Sequence, residues 1–341
     1  MRINVLDSFS RAFKHTENFL FKPFNLKKWL TLGFITLFTF SGGYSFNFNY
    51  PDSWNHKDAN KAFQPDNIDW MILKNKILHF LNGADTNTII MLATLIVLCS
   101  LLFFLIFMWL NSVFNFVLVD NIIKNKAAVK EPFARLKPKG KSLFLWNLAV
   151  FVIFLLLFAA FISLIVFGIY DYHKTHGAIN ILWMVLGGIF IIAAGIFAGI
   201  IGLVTTDFII PVMYAEDIEI LQAWKNFMPN VKGNIVNLLV YIALKIIISI
   251  GQTVLSVFAV LASLLIIGIP SVLIFALSAL TVLALKMTMT APAIVVISFF
   301  VCVILSAFIY LVNTMLMPVE IFRRVFAIDL LGQFNEKWKL I

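Results

Sequence analysis

Residues 235–285 read IVNLLVYIALKIIISIGQTVLSVFAVLASLLIIGIPSVLIFALSALTVLAL, a stretch in which Lys245 is the one charged side chain. About 20 apolar residues are enough to cross a bilayer as a helix, and this stretch would be about 76 Å long if fully helical. That is too long for one crossing. The clearest helix breaker is the four-residue stretch Gly268-Ile269-Pro270-Ser271, because glycine and proline are typical of turns. We therefore expect a tilted or kinked helix over 235–268 and a short re-entrant or re-crossing segment over 271–286.

The composition places the whole chain in the same environment. Of its 341 residues, 61% are hydrophobic and 13% are charged, and the mean hydropathy is +0.96. Soluble domains have about 45–50% apolar and about 25% charged residues. A soluble globular protein, a disordered chain and a collagen-like repeat are thereby excluded. The predicted fold class is an all-α, polytopic transmembrane helical bundle that forms a single integral membrane domain over residues 1–341.

Apolar runs of spanning length define the number of crossings. Six candidate spans follow from them: 26–46, 88–118, 143–170, 178–206, 235–268 and 291–317. An even number of crossings puts both termini on one side of the membrane. A seventh crossing formed by 271–286 stays open as an alternative. It would place the C-terminus outside, and the basic pair Arg323-Arg324 argues against that because basic residues favour the cytoplasmic side.

The basic residues are concentrated in two segments and set the orientation. Residues 1–28 carry six basic residues against two acidic ones, and residues 121–142 carry seven against one. Short basic loops mark the cytoplasmic side, so the N-terminus, 121–142 and the C-terminus are predicted to be cytoplasmic, with 47–87 outside. Anionic lipid headgroups on the cytoplasmic side are the expected partners of one set of side chains: Lys124, Lys126, Lys130, Arg135, Lys137, Lys139 and Lys141. Nucleic acid is not expected, because both basic segments adjoin apolar spans and lack a binding fold.

Amphipathic segments flank the spans. Residues 1–25 form an amphipathic cytoplasmic lead, 47–87 contain an interfacial helix in the outer loop, and 318–341 form a cytoplasmic C-terminal helix. A weak internal repeat supports placing the C-terminus inside. Pro211 precedes Phe227 by the same 16 residues that separate Pro318 from Phe334.

Two charged residues inside the spans are the leading site candidates. Asp207 precedes the apolar Phe208-Ile209-Ile210 near the cytoplasmic end of the fourth span, and Lys245 lies ten residues into the fifth. Charges inside a membrane are costly and are functional candidates by default. We expect these two to form an intramembrane charge pair. Such a pair is either purely structural or couples to a substrate or proton. Alternatively, Lys245 does not pair and its side chain extends to the membrane surface.

Weaker candidates come from ligand-type and small residues. Asp171, His173 and His176 crowd the outer loop after the third span and have the side chains of a transition-metal site, but a solvated surface loop is the favoured interpretation. Gly195 and Gly199 form a small-residue row that permits close helix packing or a homodimer. No cofactor is expected. The sequence lacks a nucleophile–histidine–acid set, a phosphate-binding loop and an HExxH helix.

Several short stretches resemble a known group of proteins. They are the lead AFK at 12–14, the run FKPFNLKKW at 21–29, DFIIPVMY at 207–214, YIALK at 241–245, and Phe322-Arg323-Arg324 followed by LGQF at 331–334. Together they resemble an uncharacterised bacterial inner-membrane protein family related to the membrane domain associated with glycerophosphoryl diester phosphodiesterases. The resemblance implies an integral protein of the bacterial cytoplasmic membrane and assigns no reaction. The soluble phosphodiesterase domain is absent from this sequence, so that activity does not carry over.

The expected function is that of a structural or accessory membrane protein that organises lipid or partner proteins and is not an enzyme. Many amphipathic segments and few buried polar residues favour this interpretation. A transporter or channel for a lipid or small solute is the alternative, with Asp207 and Lys245 as its polar material. A membrane-embedded enzyme is the second alternative.

Overall fold

A computed structural model describes residues 4–39, 85–175, 179–284 and 291–341, and the regular structure within those ranges is helical. The helices are α1 Val5–Phe21, α2 Leu26–Phe38, α3 Thr86–Ile123, α4 Lys130–Thr175, α5 Ile179–Val204, α6 Ile210–Glu216, α7 Ile220–Lys232, α8 Ile235–Ser263, α9 Ile269–Ala284 and α10 Ala291–Phe334. A 3₁₀ turn, Glu336–Trp338, follows α10.

Five helical segments of the described residues are long and apolar enough to cross a bilayer. They are Asn87–Ile123, Lys130–Ile169, Val185–Glu216, Ile235–Ala276 and Val296–Phe334. The prediction of an all-α membrane protein is confirmed. The first predicted span, 26–46, is described only as far as Thr39, and its described residues form the 13-residue helix α2. The outer loop 47–87 also lies outside the described residues, apart from its last three.

The predicted break after residue 268 is wrong. The backbone is helical without interruption from Ile235 to Ala284, and the π turn Leu264–Gly268 joins α8 to α9. In this turn Ile269 N–H donates to Leu264 O, one residue further back than in an α-helix. The extra residue widens the turn, so the ring of Pro270 is accommodated without ending the helix. Segment 271–286 is therefore not a separate re-entrant element within its described residues.

Two other predicted boundaries are also corrected. The basic segment 121–142 is a loop only near its start, because α4 begins at Lys130 and contains Pro138. The C-terminal segment 318–341 does not begin a new helix, because α10 continues through Pro318 to Phe334. In both places a long helix contains a proline in its interior. Membrane helices tolerate this when neighbouring groups donate to the backbone carbonyl that loses its N–H partner.

The chain divides into two compact units, one formed by Met1–Gly43 with Trp109–Ile341 and the other by Tyr44–Met108. Residues 85–108 are the described part of the second unit and form the apolar first part of α3.

The core of the first unit lies at one end of its helices. Phe9 of α1 packs edge-on against Phe322 and Phe326 of α10, with ring centroids 5.1 and 5.7 Å apart. The backbone N–H of Asn4 donates to Gln333 Oε1 at 2.8 Å. The first and last helices therefore meet at this end. We call it the packed end, and it comprises α1, α2, residues 109–143, residues 204–232, the first part of α8 and the last part of α10.

The two halves of the predicted repeat also meet at the packed end. The rings of Phe227 and Phe334 are 6.4 Å apart, and both contact Phe208. Their backbones differ, however. The chain turns at Asp217, which has a positive φ of 57°, whereas α10 has no break at the corresponding place.

Outside the packed end, the long helices leave apolar side chains exposed. The most apolar 18-residue stretch within Lys130–Ile169 contains no buried residue, and the same holds for Val185–Glu216. Apolar side chains that are exposed in a membrane protein face lipid or another membrane protein.

Gly140 marks a close approach between α4 and α3. A Cβ at this position would lie 2.9 Å from the Cα of Val113, so we expect Gly140→Ala to lower the free energy of unfolding by about 1–3 kcal/mol. Gly199→Ala is the matched control, because no described atom lies within 4 Å of a Cβ there. The control should be neutral or stabilising by up to about 1 kcal/mol, as alanine favours helix. Thermal unfolding in one detergent measures both, and equal responses would contradict the close approach.

Candidate functional site

The structure brings Asp207 and Lys245 together. Asp207 lies in the π turn Thr205–Ile209 between α5 and α6, while Tyr241 and Lys245 are one helical turn apart on α8 and share a face. Lys245 Nζ forms an ion pair with Asp207 Oδ2, and the Tyr241 hydroxyl donates to the same oxygen at 2.8 Å. The side chains of Lys245 and Asp207 are 8% and 3% exposed.

A second group of buried charges comes from one turn of α10. Glu320 Oε1 lies 3.3 Å from Arg324 Nε, and Glu320 Oε2 lies 3.4 Å from Arg323 Nη1. Arg323 Nη1 also donates to Gln252 Oε1 of α8 at 3.1 Å. Arg324 Nη2 donates to Asn115 Oδ1 of α3. Four elements of the first unit therefore converge here, and we call the whole set the charge cluster: Asp207, Lys245, Glu320, Arg323 and Arg324, with Asn115, Tyr241 and Gln252.

The π turn that carries Asp207 also links the two groups of charges. Ile210 N–H donates to Thr205 O in the π register. The next residue is Pro211, which has no N–H, so the carbonyl of Thr206 lacks its donor in that register. Arg324 Nη1 donates to this carbonyl at 2.5 Å. The backbone irregularity thus creates an acceptor for a buried arginine, and such π turns are frequent at functional sites.

The members of the charge cluster are joined to one another by ion pairs and hydrogen bonds. It contains three cations and two carboxylates. Among the residues that the structure describes, Gln252 Nε2 is buried and has no hydrogen-bond partner. Chemically the arrangement can hold an anion or orient helices. The part of the chain described here contains no group of three or more His, Cys, Asp or Glu side chains that could hold a metal ion.

Asp120 is a second charged centre at the packed end, and the sequence did not single it out. Its Oδ1 lies 2.9 Å from Lys124 Nζ and 2.5 Å from Arg135 Nη2. The same oxygen accepts a hydrogen bond of 2.5 Å from the Tyr214 hydroxyl. The signal that could have found it is an acidic residue in the apolar run Leu118-Val119-Asp120, directly before the basic segment.

The predicted lipid-headgroup patch is therefore divided by the structure. Lys124 and Arg135 are engaged by Asp120. Lys139 Nζ lies 2.7 Å from Asp217 Oδ1 and donates to Met213 O at 3.0 Å. Its ammonium is therefore engaged by protein groups. The hydrogen bond from Lys139 lowers the pKa of the exposed Asp217 carboxyl below its usual value. Lys137 Nζ lies 5.6 Å above the ring of Trp109.

Three lysines of the patch remain available for headgroups. Within the described ranges, no ion-pair partner is found for Lys126, Lys130 or Lys141. An ammonium without a protein partner can contact lipid phosphates.

A polar groove of about 830 Å³ lies at the outer edge of the packed end, between α1, the end of α10 and the chain terminus. Arg11 Nη2 pairs with Asp329 Oδ2 at 2.7 Å along its wall. His15 also lines it, and burial lowers the pKa of the imidazole.

The metal candidates are not brought into a described site. Asp171 and His173 belong to the last residues of α4, whose side chains are not described, and His176 lies outside the described residues. The metal site thus stays a prediction.

The fold and the charge cluster define a multi-pass helical membrane protein whose buried charges meet at one end of the helices. Over residues 3–341 the sequence matches the model of a family described as Family of unknown function (DUF7544). The chain belongs to this family. No curated protein and no solved structure matches the chain.

Proposed function

We propose that this protein is a structural or accessory protein of the bacterial inner membrane that organises anionic lipid, or partner proteins, without catalysing a reaction. One observation carries the proposal: the most apolar 18-residue stretches of Lys130–Ile169 and Val185–Glu216 contain no buried residue. A transport path needs spans that enclose it, whereas these helices offer their sides to lipid or to neighbouring proteins.

The orientation of the chain is part of the proposal. The contacts Asn4–Gln333 and Arg11–Asp329 hold the first and last helices at the same end, which favours an even number of crossings. The five described candidates and the span predicted from the sequence at 26–46 make six. The basic segments at the packed end favour a cytoplasmic location for both termini. The resemblance to membrane domains associated with glycerophosphoryl diester phosphodiesterases agrees with this location and adds no activity.

Lys126, Lys130 and Lys141 are the side chains that would gather anionic lipid. Attraction to an anionic surface contributes about 1 kcal/mol per basic residue. Together the three lysines should therefore favour phosphatidylglycerol over phosphatidylcholine by about two orders of magnitude in binding constant.

Tryptophan quenching by brominated lipids tests this preference. The protein is reconstituted into phosphatidylcholine vesicles that contain either brominated phosphatidylglycerol or brominated phosphatidylcholine. The wild type should be quenched more by the anionic lipid, and Lys126→Gln/Lys130→Gln/Lys141→Gln should lose most of that difference. The matched variant Lys126→Arg/Lys130→Arg/Lys141→Arg keeps the charges and should behave as the wild type. Equal quenching of all three proteins would contradict lipid organisation through these lysines.

A transporter or channel for a lipid or small solute is the second candidate, because Asp207 and Lys245 form a charge pair inside two candidate spans. Flux of a trapped solute from the same vesicles distinguishes it. Flux that requires the wild-type Asp207 and Lys245 side chains would support transport and contradict a purely structural role.

A further inference from the structure

One face of helix α7 is buried in the packed end and fixes how the helix is rotated. Ile220, Ala223 and Phe227 form this face. The ring of Phe227 stacks on that of Phe208, with ring centroids 5.4 Å apart. Because α7 cannot turn without breaking these contacts, its remaining faces have defined surroundings.

An apolar flank of α7 stays exposed beside the buried face. Leu221 and Met228 lie two turns apart on one side of the helix, and they are 68% and 48% exposed. Trp224 lies between them along the helix, toward the buried face, and its ring centroid is 5.9 Å from that of Trp146 on α4. Tryptophan is enriched where membrane proteins cross the boundary between lipid and water. The flank therefore has the composition of a surface at that boundary.

Two lysines border the apolar flank on its other side. Lys225 follows Leu221 by four residues, and Lys232 follows Met228 by the same interval. Residues four apart are neighbours on a helix surface. Both lysines are exposed, and the ion pairs found within the described ranges include neither of them. A lysine beside an inserted apolar side chain can extend its ammonium to headgroup phosphates.

The exposed apolar surface continues from α7 into α8. Gly233 and Asn234 separate the two helices, and Ile235, Val236 and Leu239 in the first turns of α8 are exposed. Helix α8 begins the candidate span Ile235–Ala276. Because the chain enters this span directly after α7, the lipid that surrounds the start of α8 also lies next to α7.

We propose that α7 lies in the membrane interface, with Leu221 and Met228 inserted among acyl chains and with Lys225 and Lys232 on the phosphates of phospholipid headgroups. Helices with an apolar face and lysines beside it bind at this depth. The phosphate is common to zwitterionic and anionic phospholipids, so the partner is the bilayer surface itself. This contact does not depend on the proposed function, which uses other residues.

Spin labels on single cysteines measure the depth of each face of α7. In a Cys99→Ala/Cys302→Ala background, Met228→Cys places the label on the apolar flank. Gln222→Cys is the matched control, because Gln222 is exposed and lies about 100° further round the helix than Leu221.

The labelled proteins are reconstituted into vesicles of phosphatidylcholine with a minority of phosphatidylglycerol. Oxygen concentrates among acyl chains, whereas a nickel chelate stays in water. The ratio of collisions with oxygen to collisions with the chelate should therefore be several times higher at position 228 than at position 222. Leu221→Cys provides a second position and should match position 228. Equal ratios on the apolar flank and at position 222 would overturn the proposal.

Two further outcomes test what covers the apolar flank. Low access to both reagents at position 228 would show that a second copy of the chain covers it, and would overturn the proposal. Lys225→Glu/Lys232→Glu should lower the oxygen ratio at position 228, because phosphates repel carboxylates, while Lys225→Arg/Lys232→Arg should leave it unchanged. A ratio that does not respond to charge reversal would overturn the contact with headgroup phosphates.

Discussion

Asp207→Asn and Lys245→Met will each unfold at a lower temperature than the double variant that carries both changes. The two side chains are nearly inaccessible and pair with each other. Removing one partner of a buried pair leaves the other charge uncompensated, which costs about 3–5 kcal/mol, whereas removing both is often close to neutral. A double-mutant cycle of unfolding free energies in detergent measures the coupling.

The two single variants should not be equally destabilised. Asp207→Asn leaves three cations and one carboxylate, that of Glu320, in the charge cluster, whereas Lys245→Met leaves two cations and two carboxylates. Tyr241 can still donate to Asp207 after Lys245 is removed. We therefore expect Asp207→Asn to be the more damaging change.

An exposed lysine gives the control for this cycle. Lys225→Met on α7 changes the same residue type away from the charge cluster and should alter stability by no more than about 0.5 kcal/mol. Additivity of the Asp207 and Lys245 changes within about 0.5 kcal/mol would contradict the pair. If the double variant folds but loses a solute flux that the wild type shows, the pair serves in coupling and is not merely structural.

Trp338→Ala will lower the free energy of unfolding by about 3–5 kcal/mol, as expected for truncating a large buried aromatic side chain. Trp338 is 1% exposed although only three residues follow it in the sequence. Its ring centroid is 6.1 Å from that of Phe227, and its indole Nε1 donates to Glu216 Oε1 at 2.8 Å. The chain end is thereby held against α6 and α7.

Trp338→Phe separates packing from the hydrogen bond. It keeps an aromatic ring and removes the indole donor, so it should cost less, about 1–2 kcal/mol. Glu216 retains the hydrogen bond from Asn226 Nδ2 at 2.6 Å in both variants. Chemical or thermal unfolding in detergent measures the difference. Loss of less than about 1 kcal/mol in Trp338→Ala would show that the last residues do not contribute to the packed end.

Local properties of the sequence determined the class of protein and the ends of several helices. The apolar run that begins at Ile235 predicted the start of α8, and the amphipathic lead predicted the separate helix α1. Hydropathy and helical periodicity depend on neighbouring residues, and so both are readable from the chain alone. Asp207 and Lys245 could be singled out for the same reason, since a charge inside an apolar run is visible without a structure.

Tertiary structure alone decided how the helices continue and which charges meet. Pro270 and Pro318 carry the sequence signal of a helix end, yet π register and neighbouring contacts let the helix pass through them. In the sequence, Arg323 and Arg324 indicate the cytoplasmic side, but the packing of α10 brings them to Gln252 of α8 and Asn115 of α3. Those partners lie up to 209 residues away in the chain. Long-range pairing of this kind depends on how helices rotate and pack, and no local pattern encodes it.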